Sequence, residues 1–408
     1  MSAQHPEPFP SRLLFAQALA IVRQVAAEQR LPVERVAVAR AAGYVLAEDV
    51  IAGMPLPSFD NSAMDGFALR AADSGAGVVL QLAGEQFAGL AQDLRVQAGQ
   101  CVRITTGAPL PAGADAVVMK ENVRVDGDRV HLREVVPTGR NVRHAGEDVR
   151  VGDVLLRAGT RITAAGASLA AAVGVAELPV ARKPTVAVFT TGDELRPPGQ
   201  PLGPGQIHDS NRSLLMNLLR AEGLEPVAWP ILPDDPQQVR ALLRDAGQAF
   251  DVIFTCGGVS AGEKDHLTAI LAELGRIHFW KVRMKPGMPL LFGQIGKAQM
   301  LGLPGNPVAV LASLINFGRE LLRGLQGGVQ GVPAMHARLS SPIQKEHDRR
   351  EFQRGKLDFG ADGVLRVAPH PATGSHRLRG AADSDCLIVL PEGPLAWPEG
   401  QVVEVVRY

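Results

Sequence analysis

Residues suited to anion chemistry cluster in the stretch TCGGVSAGEKDH (255–266), directly after the apolar run FDVIF (250–254). Glycine allows the backbone to approach a ligand closely and to turn its N–H groups towards an anion. Asp265 lies near a predicted helix start, where a carboxylate could bind a metal that neutralises phosphate. The other interpretation is a glycine turn followed by capping acids. The double glycine with a serine favours phosphate and metal binding, and the candidate binding residues are Gly257, Gly258, Ser260 and Gly262.

A second glycine loop, TTGDEL (190–195), contains the adjacent acids Asp193 and Glu194. A carboxylate pair at the end of a strand could hold a divalent cation or position a hydroxyl group. The pair Asp193 and Glu194 is therefore a candidate for metal binding or for catalysis. The alternative is a helix N-cap whose acids complement the helix macrodipole, and this loop alone leaves both interpretations open.

Two lysines in FWKVRMKPGMP (279–289), Lys281 and Lys285, are four residues apart. On one strand this even spacing would place both side chains on the same face. Two ammonium groups on one face would attract an anion. A solvated basic face is the alternative.

Other stretches combine turn residues with polar or basic groups. LGLPGNPVAV (301–310) predicts a rigid loop that leads into a helix with proline in its first turn. PSFDNSAMDG (57–66) and RITTGAPLPAGADAVV (103–118) place hydroxyl, amide and acidic groups in loops, and REFQRG (350–355) supplies arginines that suit forked phosphate contacts. Each stretch also has a structural interpretation as a rigid turn, an Asx-turn cluster or a solvated strand face.

Strands that alternate with helices would position most of these loops. The alternation predicts a mostly parallel sheet, and ligands of such sheets lie beyond the carboxyl ends of the strands. The loops should therefore converge on one edge. The predicted strands are TVAVFTTG (185–192), EPVAWPIL (225–232), FDVIFTCGG (250–258) and FGQIGKAQMLGLPG (292–305). The predicted helices are SNRSLLMNLLRAEG (210–223), DDPQQVRALLRDAG (234–247), KDHLTAILAELG (264–275) and NPVAVLASLINFGRELL (306–322).

The regions on either side have different patterns. LLFAQALAIVRQVAAEQ (13–29) predicts a helix capped by Ser11, and TAAGASLAAAV (163–173) predicts an Ala-rich helix capped by Thr163. Between them lie short apolar runs, including the Asp-Gly hairpin of VRVDGDRVHLREV (123–135). This order predicts a helical segment interrupted by a β-rich insertion, and the short runs at the end of the chain predict a small barrel or sheet.

The composition limits the class of protein. The 408 residues suggest two to four domains. Acidic and basic residues balance at 42 each, so no global field recruits nucleic acid or an anionic membrane. The three cysteines form no CxxC pair, which argues against a disulfide framework or a zinc site. No apolar run approaches the length of a membrane span and no signal peptide is visible, so we expect a cytoplasmic protein.

Seven stretches, collinear along most of the chain, together resemble the MoeA-type molybdenum insertases (molybdopterin molybdenumtransferases), which are related to the C-terminal domain of gephyrin. These stretches are PSFDNSAMDGFA, RITTGAPLPAGAD, TTGDEL, DSN, TCGGVSAGEKDH, FWKVRMKPG and LPGNPV.

The resemblance implies a multidomain α/β plus β fold in an elongated homodimer. Its parts would be a discontinuous helical subdomain (1–50 and 150–181), a β-rich insertion (51–149), a three-layer α/β domain of the molybdopterin-binding type (182–329) and a C-terminal β-barrel (330–408). The implied reaction takes molybdate and adenylated molybdopterin to molybdenum cofactor and AMP with Mg²⁺. Positioning, charge neutralisation and metal-assisted phosphate cleavage would supply the catalysis.

The resemblance also assigns roles to individual residues. The functional acids would be Glu194, Asp234 and Asp265, with the last two near metal and phosphates. Lys281 and Lys285 would bind the anionic substrate. Further candidates implied by the resemblance are Asp60 and Thr106, which could complete the partner's site in a dimer, Pro304, Gly305 and Pro307 in the adjacent loop, and Arg354 and Ser375 in the C-terminal region.

The chain departs from the family pattern at Met288, where a basic residue is common, and at His266, where an aromatic residue is frequent. Two other functions remain open: a molybdopterin adenylyltransferase, and a non-catalytic scaffold on the same fold. The flanking subdomains argue against the first, and the retained acids and lysines argue against the second. Partner proteins would be the adenylyltransferase and downstream cofactor-modifying proteins or molybdoenzyme chaperones, with no nucleic acid and no membrane.

Overall fold

A computed structural model describes residues 9–89, 92–260, 266–328 and 334–408. Its centre is a seven-stranded sheet in which every strand except Leu291–Ile295 runs in the same direction. The mostly parallel sheet predicted from the alternation of elements is confirmed. In spatial order the strands are Ser11–Leu13, Gly275–Val282, Leu291–Ile295, Ala298–Leu303, Val252–Cys256, Val186–Thr190 and Val227–Ala228.

Helices cover both faces of this sheet, so the α/β domain has three layers. Successive residues of a strand point to opposite faces, and in Val186–Thr190 the residues Val186 and Val188 pack in one core while Ala187 and Phe189 pack in the other. The helices of this domain are Phe15–Glu28, Ser210–Ala221, Pro236–Ala249, Leu267–Leu274, Pro307–Ser313 and Arg319–Leu325, the last two joined by the π-helical turn Leu314–Gly318.

Three local predictions were wrong. Ser11 caps no helix, because it lies in a strand paired with Trp280, and the first helix begins at Phe15. The single strand predicted over 292–305 is a hairpin that reverses between Ile295 and Ala298. The run 225–232 contributes only two residues of strand.

The helical subdomain is discontinuous in sequence. Val33–Ala37 pairs with Glu177–Ala181, and Val50–Ile51 pairs with Val154–Leu156. Helix Ala164–Ala172 packs on this unit and begins where predicted, since the Thr163 side chain accepts a hydrogen bond from the Gly166 N–H at 3.0 Å.

The insertion is built on a six-stranded sheet, and the C-terminal region on a closed barrel of five strands. The insertion strands are, in spatial order, Ala116–Met119, Gly66–Leu69, Gln100–Ile104, Val79–Gln86, Arg129–Leu132 and Val123–Asp126, with Asn61–Ser62 paired to Val142–Arg143. The barrel strands are, around the ring, Arg350–Phe359, Leu365–Pro369, Met335–Leu339, Val402–Arg407 and Cys386–Leu390. The smaller elements are helix Leu378–Ala382 and strands Met284–Lys285, Ile343–Lys345, Leu395–Trp397, Leu195–Arg196 and Ile207–His208.

The barrel joins the α/β domain through a shared core. Phe352, Leu387 and Val389 of the barrel belong to the same buried cluster as Phe15 and Phe317. The multidomain fold expected from the resemblance is therefore confirmed. None of the helices in the described residues combines the length and the apolar character that a membrane crossing requires.

Candidate functional site

Three loops converge at the carboxyl edge of the central sheet, as the topology requires. The Thr191 N–H donates to the Cys256 carbonyl at 3.0 Å, and the Gly257 N–H donates to the Leu303 carbonyl at 3.0 Å. These hydrogen bonds align the carboxyl ends of three neighbouring parallel strands. The loops that begin at Thr191, Gly257 and Pro304 therefore share one edge.

The double glycine of the central loop is required by its backbone. Gly257 has φ +90° and Gly258 has φ +68°, conformations that L side chains rarely adopt. A Cβ at Gly257 would lie 2.9 Å from Thr191 Cγ2, and one at Gly258 would lie 2.9 Å from Leu267 Cδ1. Ser260 follows as an exposed residue. The described part of this loop, up to residue 260, thus presents backbone and a hydroxyl group.

Acids lie on the neighbouring loops of the same edge. Glu194 is exposed, and the Oδ1 atom of the adjacent Asp193 accepts a hydrogen bond from the Asp234 N–H at 3.3 Å. The structure therefore brings together the loops of Glu194 and Asp234, as predicted. Gly262 and Asp265 lie outside the described residues.

The described residues do not by themselves form the metal site that was predicted. Among residues 9–89, 92–260, 266–328 and 334–408, no group of three or more His, Cys, Asp or Glu side chains could hold a metal ion. Glu194 and Asp234 would need further ligands. The Mg²⁺ assignment stays a prediction.

A buried hydrogen-bond network, which the sequence analysis did not predict, holds the loop that begins at Thr191. Asp209, which is 2% exposed, accepts hydrogen bonds from Thr190 Oγ1 at 2.6 Å and from Arg212 Nε at 3.0 Å. Its other oxygen accepts from the Arg212 N–H at 3.1 Å and caps the helix Ser210–Ala221. An aspartate directly before a predicted helix was the available signal.

Two asparagines attach the Pro304–Pro307 loop to its surroundings. Asn211 Nδ2 donates to the Gly305 carbonyl at 2.7 Å, and Asn306 Nδ2 donates to Ser375 Oγ at 3.0 Å. The predicted residue Ser375 thus lies beside this loop, although it belongs to the C-terminal region. Pro304 is buried and Pro307 begins the following helix, in agreement with a rigid loop.

A cleft of about 450 Å³ separates this loop from the barrel. Lys285 lines it and lies 3.0 Å, Nζ to Oε1, from Glu351, whose side chain is only 5% exposed. The other carboxylate oxygen of Glu351 lies 2.9 Å from His347 Nε2. Further lining residues are Pro304, Asn306, Arg349, Arg354, His370 and Ser375.

The two lysines do not lie on one strand, which corrects the expectation drawn from their spacing. Lys281 has φ +68° near the end of the strand Gly275–Val282, so the strand does not continue regularly to Lys285. Lys285 instead pairs with Glu351 of the barrel in a different sheet. The Lys281 Nζ lies 3.5 Å from the centroid of the Trp280 ring, a cation–π contact.

Arg354 lies in the cleft wall but is committed to backbone carbonyls. Its guanidinium donates to the carbonyls of Gly374 at 3.1 Å and Arg377 at 3.2 Å, and also to that of Ala372. Arg354 therefore organises the loop that carries Ser375. The phosphate contact predicted for Arg354 would require the guanidinium to give up these hydrogen bonds to carbonyls.

Asp60 and Thr106 are bonded inside the insertion rather than in the cleft. Asp60 accepts a hydrogen bond from the Ala145 N–H at 2.8 Å, and this bond, with His144 nearby, holds the Asp60 pKa below its usual range against the opposing effect of burial. Thr106 Oγ1 donates to Asp65 Oδ1 at 3.0 Å. The single chain does not bring these two predicted residues to the α/β edge.

The arrangement combines three features at one side of the α/β domain: a backbone-lined glycine loop, exposed acids and a cleft with cationic side chains. Backbone N–H groups and ammonium groups suit phosphate and other oxyanions. The geometry is thus suited to binding an anionic ligand that extends from the sheet edge towards the barrel.

Three family models match the chain in order. Residues 13–174 match the MoeA N-terminal region (domain I and II), residues 187–324 a probable molybdopterin binding domain, and residues 336–408 the MoeA C-terminal region (domain IV).

Named relatives cover nearly all of the chain. It is 38% identical to the molybdopterin molybdenumtransferase of Haemophilus influenzae, over 86% of this chain and 88% of that protein. It is 40% identical to molybdopterin molybdenumtransferase 2 of Mycobacterium tuberculosis, over 90% of this chain and 93% of that protein. The crystal structure of a molybdopterin biosynthesis MoeA protein from Pyrococcus horikoshii superposes with a TM-score of 0.81 at 30% identity, covering 97% of this chain and 99% of that one.

Proposed function

The chain belongs to the molybdopterin molybdenumtransferase family, and we propose that it inserts molybdenum into molybdopterin during molybdenum cofactor biosynthesis. The observation that supports this proposal is that the sheet edge with the glycine loop adjoins the cleft lined by Lys285. The name of the relatives states the class of reaction, and the site has places for the two anions that such a reaction must bring together.

In the finer proposal the substrates are molybdate and adenylated molybdopterin, and the products are molybdenum cofactor and AMP. The glycine loop would bind the phosphates through backbone N–H groups that follow Gly257, whose own N–H donates to the Leu303 carbonyl. Lys285 would attract an oxyanion in the cleft, and Ser375 would donate to it. The chain's contribution is then to position both substrates and to stabilise negative charge.

Mg²⁺ belongs to this finer proposal. When bound, Mg²⁺ would neutralise phosphate charge. Among the described residues, Glu194 and Asp234 are the predicted ligands at the carboxyl edge of the central sheet. A third predicted ligand, Asp265, lies outside the described residues.

We further propose that the protein is a cytoplasmic homodimer. The support for a dimer is that a single chain keeps Asp60 and Thr106 in the insertion, away from the α/β edge, although the family resemblance assigns them to the site. In a dimer these residues could complete the partner's site. The adenylyltransferase that makes the substrate, and proteins that receive the cofactor, would be its transient partners.

The test is AMP release from adenylated molybdopterin by the purified protein with Mg²⁺, with and without molybdate. Release that depends on molybdate supports the insertase, and an Asp265→Ala variant should lose it. Binding of the adenylated pterin without release would support the scaffold alternative. Formation of adenylated pterin from ATP would support the adenylyltransferase.

A further inference from the structure

A second cavity, of about 260 Å³, lies between the helical subdomain and the α/β domain. Lys183 lines it and precedes the strand Val186–Thr190, so the cavity is at the amino end of the sheet, opposite the edge of the proposed active site. The helical subdomain supplies Gly43, Thr160 and Arg161. The α/β domain supplies Lys183, Glu222, Arg319 and Arg323.

Two cations from the two subdomains meet at one point of this cavity. The position that a Cβ would occupy at Gly223 lies 3.6 Å from Lys183 Nζ and 3.8 Å from Arg161 Nη2. Gly223 has φ +81°, and Gly43, whose Cβ position is also 3.8 Å from Arg161 Nη2, has φ +89°. The positive φ favours glycine at both places, so the backbone passes close to the two cations.

The carboxylates whose charges act on Lys183, those of Glu225 and Glu34, form no ion pair with it in the part of the chain that the structure describes. Within the described ranges no carboxylate forms an ion pair with Arg161 or Lys183. The Lys183 Nζ donates to the neutral Gly223 carbonyl at 2.8 Å and lies 4.3 Å from the centroid of the Tyr44 ring. Burial and the charge of Arg161 lower the pKa of Lys183, which is the direction expected when like charges are held together.

The other cations in the cavity already have partners. Arg319 Nε lies 2.5 Å from Glu222 Oε1 and its Nη1 donates to the Arg407 carbonyl at 2.7 Å. Arg323 Nη1 donates to Glu320 Oε1 at 2.9 Å. Arg161 and Lys183 are therefore cavity cations without an ion-pair partner among the described residues, and an anion between them would relieve their repulsion.

We propose that this cavity binds a small phosphate-class anion that bridges Arg161 of the helical subdomain to Lys183 of the α/β domain. Its volume lies below the roughly 300–1,000 Å³ of pockets that hold drug-sized ligands, so it suits inorganic phosphate or a small phosphorylated compound. Arg can provide a forked pair of donors and Lys a point charge. The bound anion would fasten the helical subdomain, and with it the insertion, to the α/β domain.

The probe is inorganic phosphate, titrated against the full chain by calorimetry and by thermal unfolding at constant ionic strength, with chloride as the comparison salt. Phosphate should bind and raise the unfolding midpoint more than chloride does. Arg161→Gln and Lys183→Gln should each weaken phosphate binding by about tenfold or more, the typical effect of losing one charge-assisted contact. Arg161→Lys, which keeps the charge, should retain most of the binding.

Two control variants separate this site from other anion sites. Arg157→Gln removes an exposed cation four residues before Arg161, outside the cavity lining, and should bind phosphate like the unmodified protein. Lys285→Gln reports the cleft at the opposite edge and should leave this binding intact. Equal affinity in Arg161→Gln, loss of binding in Lys285→Gln instead, or no difference between phosphate and chloride would each overturn the proposal. These results are independent of whether the protein releases AMP.

Discussion

Replacing Lys285 by Gln should weaken oxyanion binding and destabilise the protein at the same time, because Lys285 has two roles in the structure. It lines the cleft, and its Nζ lies 3.0 Å from the nearly buried Glu351. Truncating one member of a fully buried ion pair costs about 3–5 kcal/mol. The Lys285 side chain is 38% exposed and His347 still lies 2.9 Å from Glu351, so solvent and the neighbouring imidazole reduce the expected loss to about 1–2 kcal/mol.

For unfolding of the whole 408-residue chain, that loss corresponds to a fall of about 1–2 °C in the unfolding midpoint, measurable by calorimetry. Molybdate should bind about tenfold to a hundredfold more weakly, since one charge-assisted contact is removed. A second substitution, Glu351→Gln, should restore part of the lost stability of Lys285→Gln, because it removes the carboxylate left without its lysine, but it should not restore molybdate binding.

Lys281→Gln is the matched control for stability. Its ammonium group contacts the Trp280 ring and not the Glu351 carboxylate, so its unfolding midpoint should change less and should not respond to Glu351→Gln. Unchanged molybdate affinity in Lys285→Gln would refute the anion role. A double variant no more stable than Lys285→Gln would refute the reasoning about the uncompensated carboxylate.

Two further substitutions test the glycine loop and Asp251, an acid buried at the amino end of the central sheet. Gly258→Ala forces a Cβ into a backbone with φ +68°, so it should cost about 1–2 kcal/mol of stability and lower AMP release. The control Gly363→Ala, at φ +76° in open space far along the chain, should leave AMP release unchanged. Equal AMP release in both variants would contradict the role of the loop. Burial alone would raise the pKa of Asp251, but hydrogen bonds that include a bidentate contact from Arg182 hold it below the ordinary 3.8. The stabilising effect of the Asp251 carboxylate is therefore present above pH 3.8 and is lost as the pH falls through its lower folded pKa. In Asp251→Asn the unfolding midpoint should fall less steeply as the pH is lowered through this range. The exposed control Asp126→Asn should keep the original pH dependence.

Much of the α/β domain could be predicted because its signals are local. The apolar runs at 185–192 and 250–258 became buried strands. Outside this domain, the helix capped by Thr163 also begins where its sequence indicates. The failures come from contacts between segments far apart in the chain. The region after Ser11 looked like a cap and helix, but pairing with Trp280 holds it in a strand.

The site was predictable where parallel strands bring loops together. The glycines at 257 and 258 and the acid at 194 were found because a strand followed by glycine and polar residues must end at the carboxyl edge. Asp265 and Gly262 stay predictions, since they lie outside the described residues. The metal ligands and the partner's contribution also stay predictions.

By itself the sequence determined the order of elements, the loops that carry glycine and acids, and a set of motifs dense enough to indicate the family. Only the tertiary structure decided which charges meet. It separated Lys281 from Lys285, paired Lys285 with Glu351, turned Arg354 onto carbonyls and placed Arg161 beside Lys183. The physical reason is that secondary structure follows periodicity over a few residues, whereas the partner of a charged side chain is chosen by contacts between segments far apart in the chain.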